Sequence, residues 1–533
     1  MTKKSFMQGA LVLGIAGLII KLLGAIFRIP LANIIGDEGM GYYQTAYPIY
    51  VLFLTLSTAG IPIAISKLVS ERCSLEEYRA ANKVFRVSFL LLSAIGIVSS
   101  ISLFLGAEAI VGALGNPKAL LAMKAIAPAL LFVPIMAAFR GYFQGMQNMK
   151  PTAASQIIEQ LFRVAAGLSL SILLVQSGRH YAAAGASFGA TAGAIAGLSG
   201  IAIIYYTHRR ALHHQMLRGR KGTDESTASI LSRIFVIAVP VTIGAAIMPI
   251  MGTIDVAIVM KRLQATGYTE QAANSLYGQL TGMAGPLINF PQVLSMSIAM
   301  SLVPAIAGAY QRRDMEFLRH EVELGVRTSM LIGLPSALGL MVLAEPIMLL
   351  LYPMQKASAV SAASSLFLLA FGVIFLSVVQ TLTGVLQGLG KQMIPVRNLM
   401  IGALAKVILT YTLTGIESIN VRGAALGTVV AYMLAAFLNL LAVRQYTGVK
   451  FDWKLTVGKP VSSVLVMSGV VFVIYRLALP AAGNAIATLS AILAGGLIYF
   501  SMLFVTGCIT EEELLLLPKG KKLAGLFHGK GRR

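Results

Sequence analysis

The chain has 533 residues, 57% hydrophobic and 12% charged, with a mean hydropathy of +0.79. Soluble globular chains carry about 25% charged residues, so water is excluded as the solvent for most of this surface and a bilayer is required. Lys and Arg outnumber Asp and Glu 43 to 21, and most of the basic residues stand in short gaps between apolar runs. The excess therefore reads as a positive-inside bias and not as a nucleic-acid surface.

The N-terminus, Met1-Thr2-Lys3-Lys4, enters an apolar run too long for a signal-peptide core, with no small-residue cleavage site after it; it is read as a retained first span. Apolar segments then recur at 8–34, 42–68, 83–106, 119–145, 152–176, 182–207, 230–258, 277–309, 325–349, 359–387, 393–415, 421–443, 457–479 and 484–507. Each is long enough to cross a bilayer as a helix, so the fold class is an all-α integral membrane protein of about fourteen transmembrane helices. Pro240, Pro249, Pro286 and Pro291 predict kinks or broken turns in the seventh and eighth. An even count puts both termini on one side. That side holds about 31 of the 43 basic residues against about 7 on the other, so both ends are expected in the cytoplasm. The heavy gaps run from Lys67 to Arg86, Arg209 to Arg233, Arg312 to Arg327 and Arg444 to Lys459, with the tail after Cys508; an opposite gap is Gly36-Asp37-Glu38-Gly39. The tail from Glu511 to Arg533 mixes Leu, Phe and Lys/Arg, which suits either an amphipathic surface helix or a basic tail near anionic lipid.

The chain resembles itself at a shift of roughly 240 residues, as duplicated transporters do. Ala107-Glu108-Ala109-Ile110 matches Ala344-Glu345-Pro346-Ile347, and Gly141-x-x-Gln144-Gly145 matches Gly384-x-x-Gln387-Gly388. Arg163 and Lys406 follow the second glycine at equal distance, and Gly185-Ala186-x-x-Gly189 matches Gly423-Ala424-x-x-Gly427. Six spans per copy is an even number, so the copies form a parallel repeat: two pseudo-symmetric six-helix lobes facing a central cavity. The expected organisation is an N-lobe at 1–208, a cytoplasmic linker at 209–229, a C-lobe at 230–445, spans thirteen and fourteen within 446–508, and a basic tail at 509–533. The Gly-x-x-x-Gly spacings are read as helix packing.

An ionisable group inside a bilayer needs a partner, a wet cavity or a function. Within the spans stand Lys21, Arg28, Lys124, Glu159, Arg163, Asp255 and Lys406. Glu159 and Arg163 are spaced i, i+4 and are read as a structural pair; Lys124 lies near a span end and can snorkel. Lys21 and Arg28 are two turns apart on one face with no acid in their helix. The repeat sets Arg28 near the position of Asp255, which leaves two readings: a salt bridge between lobes, or a cationic cavity wall for an anionic head group. Guanidinium and ammonium suit phosphate or pyrophosphate. Tyr43, Gln44 and Tyr47 in span two, with Asn289 and Gln292 in span eight, add hydrogen-bonding groups that serve either cargo or packing.

Other chemistry is missing from the sequence. Cys73 and Cys508 form no metal-ligand spacing, all six histidines lie outside the spans, and there is no Walker-type loop. No metal and no cofactor is expected; if an ion is coupled, Asp255 and Glu159 are its candidate sites.

At Lys21-Leu22-Leu23-Gly24, Arg28-Ile29-Pro30, Gly36-Asp37-Glu38-Gly39-x-Gly41-Tyr42-Tyr43 and Gly60-Ile61-Pro62-Ile63-Ala64-Ile65-Ser66-Lys67-Leu68-Val69-Ser70-Glu71, the chain resembles the polysaccharide-transporter branch of the multidrug/oligosaccharidyl-lipid/polysaccharide (MOP) exporter superfamily. The likeness is to its stage V sporulation protein B group and lipid II flippase relatives. It implies alternating-access flipping of an undecaprenyl-pyrophosphate-linked saccharide across a bacterial plasma membrane, no enzymatic activity, and the cell-wall synthesis machinery as a candidate partner. It also implies a pyrophosphate-binding role for Arg28 and, by position, Lys21. The chain departs from the family at Ile29, where an acid is usual, and at Ser66-Lys67, where an arginine pair is usual. The alternative from the same architecture is a drug or cation antiporter, which the basic first helix disfavours by repelling the cargo. A membrane-embedded glycan polymerase is disfavoured by short outward loops without acid or histidine clusters.

Overall fold

A computed structural model describes residues 3–218, 220 and 225–508. The side chain of Lys21 and the tail from 509 to 533, both singled out above, lie outside the described residues. The described chain is helical, with no strand. Its helices are α1 (Lys3–Thr58), α2 (Ile61–Ser74), α3 (Tyr78–Ala113), α4 (Leu120–Ile126), α5 (Ala129–Gly145), α6 (Lys150–Leu174), α7 (Arg179–Arg218) and α8 (Thr227–Ala265). There follow α9 (Glu270–Gly278), α10 (Gly285–Arg312), α11 (Met315–Val342), α12 (Ala344–Leu351), α13 (Lys356–Gly388), α14 (Met393–Thr414), α15 (Arg422–Thr447) and α16 (Lys459–Val505). Helix is the form that satisfies every backbone polar group without water. The starts are set locally: Pro62, Pro151 and Pro460 occupy first turns, where a missing N–H costs nothing. Ser226, Thr269 and Asp314 cap α8, α9 and α11 by accepting the N–H of Ser229, Ala272 and Phe317.

Two helices fold back on themselves. Phe27 and Tyr43 would stand about 24 Å apart on one straight helix, yet their ring centroids are 6.4 Å apart. The reversal is at Gly36, with φ 71° and ψ −177°, a conformation that L side chains rarely adopt. In α16 the Lys459 ammonium reaches the Gly507 carbonyl at 3.1 Å and the Ser463 and Thr506 hydroxyls meet at 3.1 Å, so this helix reverses too, at Gly483 (φ 70°, ψ 171°). Among the described residues twelve helical stretches are long and apolar enough to cross a membrane, and the two that reverse each supply two passes. The passes number fourteen, as the apolar periodicity predicted. Their outer faces are oily: Leu105 and Val505 are each 75% exposed, which only lipid makes tolerable.

The described residues form two compact units. One runs Met1–Pro286 with Tyr352–Ala362 and Val407–Ala424; the other runs Leu287–Leu351, Ala363–Lys406 and Ala425–Arg533. In the first, α8 and α9 pack on α1 and α2, and Phe85, Phe139, Tyr142 and Tyr205 form an aromatic core. In the second, Leu302, Ile306, Val322, Leu382, Leu386 and Val443 join α10, α11, α13 and α15, while α16 packs on α11 through Leu334, Met467 and Val471.

The duplication is visible in how glycines pack. In the first unit a methyl at Gly141 would come within 2.9 Å of the Pro62 carbonyl, and one at Gly145 within 2.8 Å of the Ser66 carbonyl, so α5 lies directly on α2. In the second unit Gly384 stands 2.6 Å (from the same imagined methyl) from the Ala299 carbonyl and Gly388 2.9 Å from that of Val303, so α13 lies on α10. The same glycine pair meets the same pair of carbonyls four residues apart in each half. A second stripe, Gly189, Gly193 and Gly197 of α7, rests on the α6 backbone at Arg163, Glu159 and Ser155.

Before α8 the chain is tied to the end of α2. Arg220 donates its N–H to the Glu76 carbonyl at 3.0 Å. Arg72 pairs with Glu77 at 2.9 Å and with Glu225 at 2.6 Å, and Arg233 pairs with Glu71 at 2.6 Å and with Glu225 at 3.3 Å. Burial pushes the Glu225 carboxyl up, but hydrogen bonds from Ser229, Arg72 and Arg233 outweigh it and hold the group below its ordinary value.

Candidate substrate-binding site

The reversal at Gly36 sets Arg28 of the first pass beside the tyrosines of the second. Tyr43, Tyr47 and Tyr50 follow at helical spacing and form a ladder: Tyr43 stacks on Tyr47 at 5.7 Å and Tyr47 meets Tyr50 at 6.2 Å. Arg28 lies 5.8 Å from the centroid of the Tyr47 ring, a cation–π contact. Burial pushes the Tyr352 phenol up, and the Arg28 charge opposes that shift, so Arg28 stands near this residue as well. Among the described residues no carboxylate pairs with Arg28. Half-burial keeps its guanidinium within reach of a ligand.

Behind the ladder, α6 supplies the Glu159–Arg163 pair. Arg163 Nη2 donates to Glu159 Oε1 at 2.9 Å, the contact expected from the spacing. The structure adds a third member: Arg140 of α5 donates from Nη2 to Glu159 Oε2 at 3.0 Å and from Nε to the Ser155 hydroxyl at 2.9 Å. Sequence reading missed Arg140 because it stands five residues from the end of the span placed at 119–145, where a basic residue reads as an interfacial anchor. The glycine stripe of α7 occupies the other side of α6 and leaves these side chains to face α1 and α5. The Arg163 charge bears on Tyr50, Tyr47 and Tyr43, which joins the cluster to the ladder.

The remaining expected residues separate. Tyr43 is 5% exposed and takes Phe27 on its edge. Gln44 is spent on packing, its amide donating to the Thr281 carbonyl at 2.7 Å. Asp255 lies on α8 and does not pair with Arg28; its charge bears on Tyr277 of α9. The salt-bridge reading of Arg28 with Asp255 is therefore replaced by the contact with Tyr47. Asn289 and Gln292 lie on α10 in the second unit, exposed and half-buried. Lys124 stands over the Phe104 ring at 5.6 Å. Arg327, counted with a cytoplasmic gap, is only 6% exposed on α11.

Sequence reading also missed the depth of the turn at Gly36. Asp37 accepts from the Gln279 amide at 2.8 Å, Glu38 accepts from Tyr42 at 2.9 Å and from Gln271 at 3.0 Å, and the Glu38 carbonyl accepts from Asn274 at 2.7 Å. Asn116 bridges Asn274 and Thr45 at 2.7 and 2.8 Å, and Arg179 stands 3.7 Å from both acids. A short acidic gap in the sequence is a buried clamp on α9 in the fold. Among the described residues no cluster of His, Cys, Asp and Glu has the makings of a metal site.

Comparison with known proteins places this arrangement. The model of a family described as polysaccharide biosynthesis protein matches residues 6–310, and one described as MatE matches 240–412. Three Bacillus subtilis proteins are similar along their whole length. The chain is 30% identical to the uncharacterized membrane protein YabM (97% of this chain, 96% of the relative) and 28% identical to stage V sporulation protein B (97% and 98%). It is 26% identical to the lipid II flippase MurJ (99% and 98%). A solved structure of a lipid II flippase MurJ in an inward closed conformation superposes with a TM-score of 0.69 at 15% identity, over 92% of this chain and 97% of that one. At that identity the likeness speaks for the fold.

Proposed function

The chain belongs to the polysaccharide biosynthesis protein family, in the MOP superfamily of membrane flippases and transporters, and on that premise we propose that it flips a lipid-linked anionic saccharide, an undecaprenyl-pyrophosphate-linked cell-wall precursor such as lipid II, across a bacterial plasma membrane with both termini in the cytoplasm. The observation that carries this reading is Arg28: a guanidinium inside the membrane with an aromatic partner and, among the described residues, no carboxylate one. A half-buried cation left this way inside a membrane is costly unless an anion or water meets it. In the proposed cycle access to the site alternates between the two sides of the membrane, Arg28 and Lys21 receive the pyrophosphate, and the prenyl tail stays in lipid. No cofactor enters; the drive is an ion gradient or the membrane potential. The cell-wall synthesis machinery supplies and receives the cargo.

The MatE match over 240–412 favours a second reading, a drug or cation antiporter. The basic first span, with Lys21 and Arg28 and no acid, opposes it, because like charge repels a cationic cargo. A liposome assay of lipid II flipping against dye efflux separates the two. In the same assay, and in complementation of a strain lacking its own flippase, Arg28→Glu is expected to abolish function at normal protein levels. Wild-type growth with Arg28→Glu would remove Arg28 from the site and the reading with it.

A further inference from the structure

The charge count around the tyrosine ladder does not close among the described residues. Two guanidinium groups, Arg140 and Arg163, share one carboxylate, Glu159, and a third, Arg28, meets the Tyr47 ring. Both oxygens of Glu159 are already taken, Oε1 by Arg163 and Oε2 by Arg140. Arg140 has a partner at Nη2 and at Nε, the latter holding the Ser155 hydroxyl. Arg163 differs at the same atom: its Nε is buried and has no hydrogen-bond partner. Nor has the hydroxyl of Tyr50, a residue 1% exposed on which the Arg163 charge bears. Arginine donates only, so what these groups lack is an acceptor, and the surplus positive charge asks that the acceptor be an anion.

We propose that Arg163 and the Tyr50 hydroxyl form, with Arg28, an inner anion subsite of the first unit, and that Glu159 and Arg140 act as positioning residues for Arg163. Its ligand is an oxyanion of the phosphate class. Two sources supply that chemistry, the diphosphate of a lipid-linked head group or a free inorganic anion. Assigning the head group rests on the function proposed above; the subsite itself does not. Arg28 lies on the Tyr47 ring and the Arg163 charge bears on the same tyrosine, so in this proposal the charge of a bound diphosphate spans two guanidinium groups where the sequence suggested one.

The test uses the full-length protein in detergent with inorganic pyrophosphate as the probe, read by calorimetry. Wild type is expected to bind. Arg163→Gln is expected to weaken binding about tenfold or more, the cost of one charge-assisted contact, and Tyr50→Phe to weaken it less. Arg163→Gln leaves the Glu159–Arg140 pair neutral, so folding is retained. Glu159→Gln tells position from mere structure: it enlarges the positive surplus, so its thermal midpoint is expected to fall without pyrophosphate and to recover with it. Pyrophosphate binding by Arg163→Gln equal to wild type, or a Glu159→Gln midpoint indifferent to pyrophosphate, overturns the subsite. In proteoliposomes, inhibition of lipid II flipping by lumenal or external pyrophosphate in wild type but not in Arg163→Gln assigns the subsite to the head group. Binding that depends on Arg163 while flipping ignores both pyrophosphate and the substitution keeps the subsite, assigns it to a free anion, and counts against the head-group reading alone.

Discussion

Arg72 and Glu225 meet at 2.6 Å across 153 residues of sequence. The pair holds the start of α8 to the end of α2, and Arg233 with Glu71 repeats the tie at 2.6 Å. The chain ahead of α8 is thus anchored at Arg220 by a backbone hydrogen bond and at Glu225 by ion pairs.

Glu225 is held below its ordinary value, so the anchor is fully present above the usual glutamate range of about 4.3 and is lost as pH falls through the lower folded value. Hydrogen exchange at the Arg220 amide, corrected for intrinsic rates, is expected to stay protected from pH 7 down to about 5 and to open under stronger acid. Glu225→Gln should open it at pH 7. Protection unchanged in that variant would show the Glu76 carbonyl suffices alone.

The two reversing glycines differ in surroundings. Around Gly483 nothing stands within 4 Å of where a methyl would go, so Gly483→Ala meets backbone strain only, about 1–3 kcal/mol. At Gly36 the same strain is joined by the Arg179 guanidinium at 3.1 Å. Gly36→Ala is expected to lower the thermal midpoint more than Gly483→Ala in the same detergent; equal midpoints would mean the clamp at Arg179 yields freely.

Gln44 is expected to act in packing. Gln44→Leu removes its bond to the Thr281 carbonyl and should cost about 1–3 kcal/mol, the price of an orphaned buried acceptor, with pyrophosphate affinity unchanged. A loss of affinity without a loss of stability would return Gln44 to the cargo site.

Removing the shared acid leaves two guanidinium groups unanswered. Glu159→Leu is expected to destabilise by about 3–5 kcal/mol, as for breaking a buried pair, and Arg140→Gln by less, because Arg163 still holds the acid. Chemical denaturation in detergent, with the two variants ordered the other way, would put Arg140 and not Glu159 at the centre of the cluster.

Reading the sequence recovered what depends on the solvent and on local spacing. Composition demanded lipid, apolar run length set fourteen passes, and the glycine pairs at 141/145 and 384/388 disclosed a duplication that reappears as identical packing of α5 on α2 and of α13 on α10. The i, i+4 spacing was enough for Glu159 and Arg163, because a helix brings those positions together whatever surrounds it. Partners from different helices are another matter. Which face of α5 meets α6 decides that Arg140 joins Glu159; the reversal at Gly36 decides that Arg28 lies on Tyr47 and does not pair with Asp255; and the descent of α9 on that turn makes Asp37 a buried acceptor for Gln279. Hydrophobic periodicity tells which positions leave water, since transfer free energy is a property of each side chain alone. It does not tell which polar groups will find one another, since that is a property of helix contacts that only the folded chain decides.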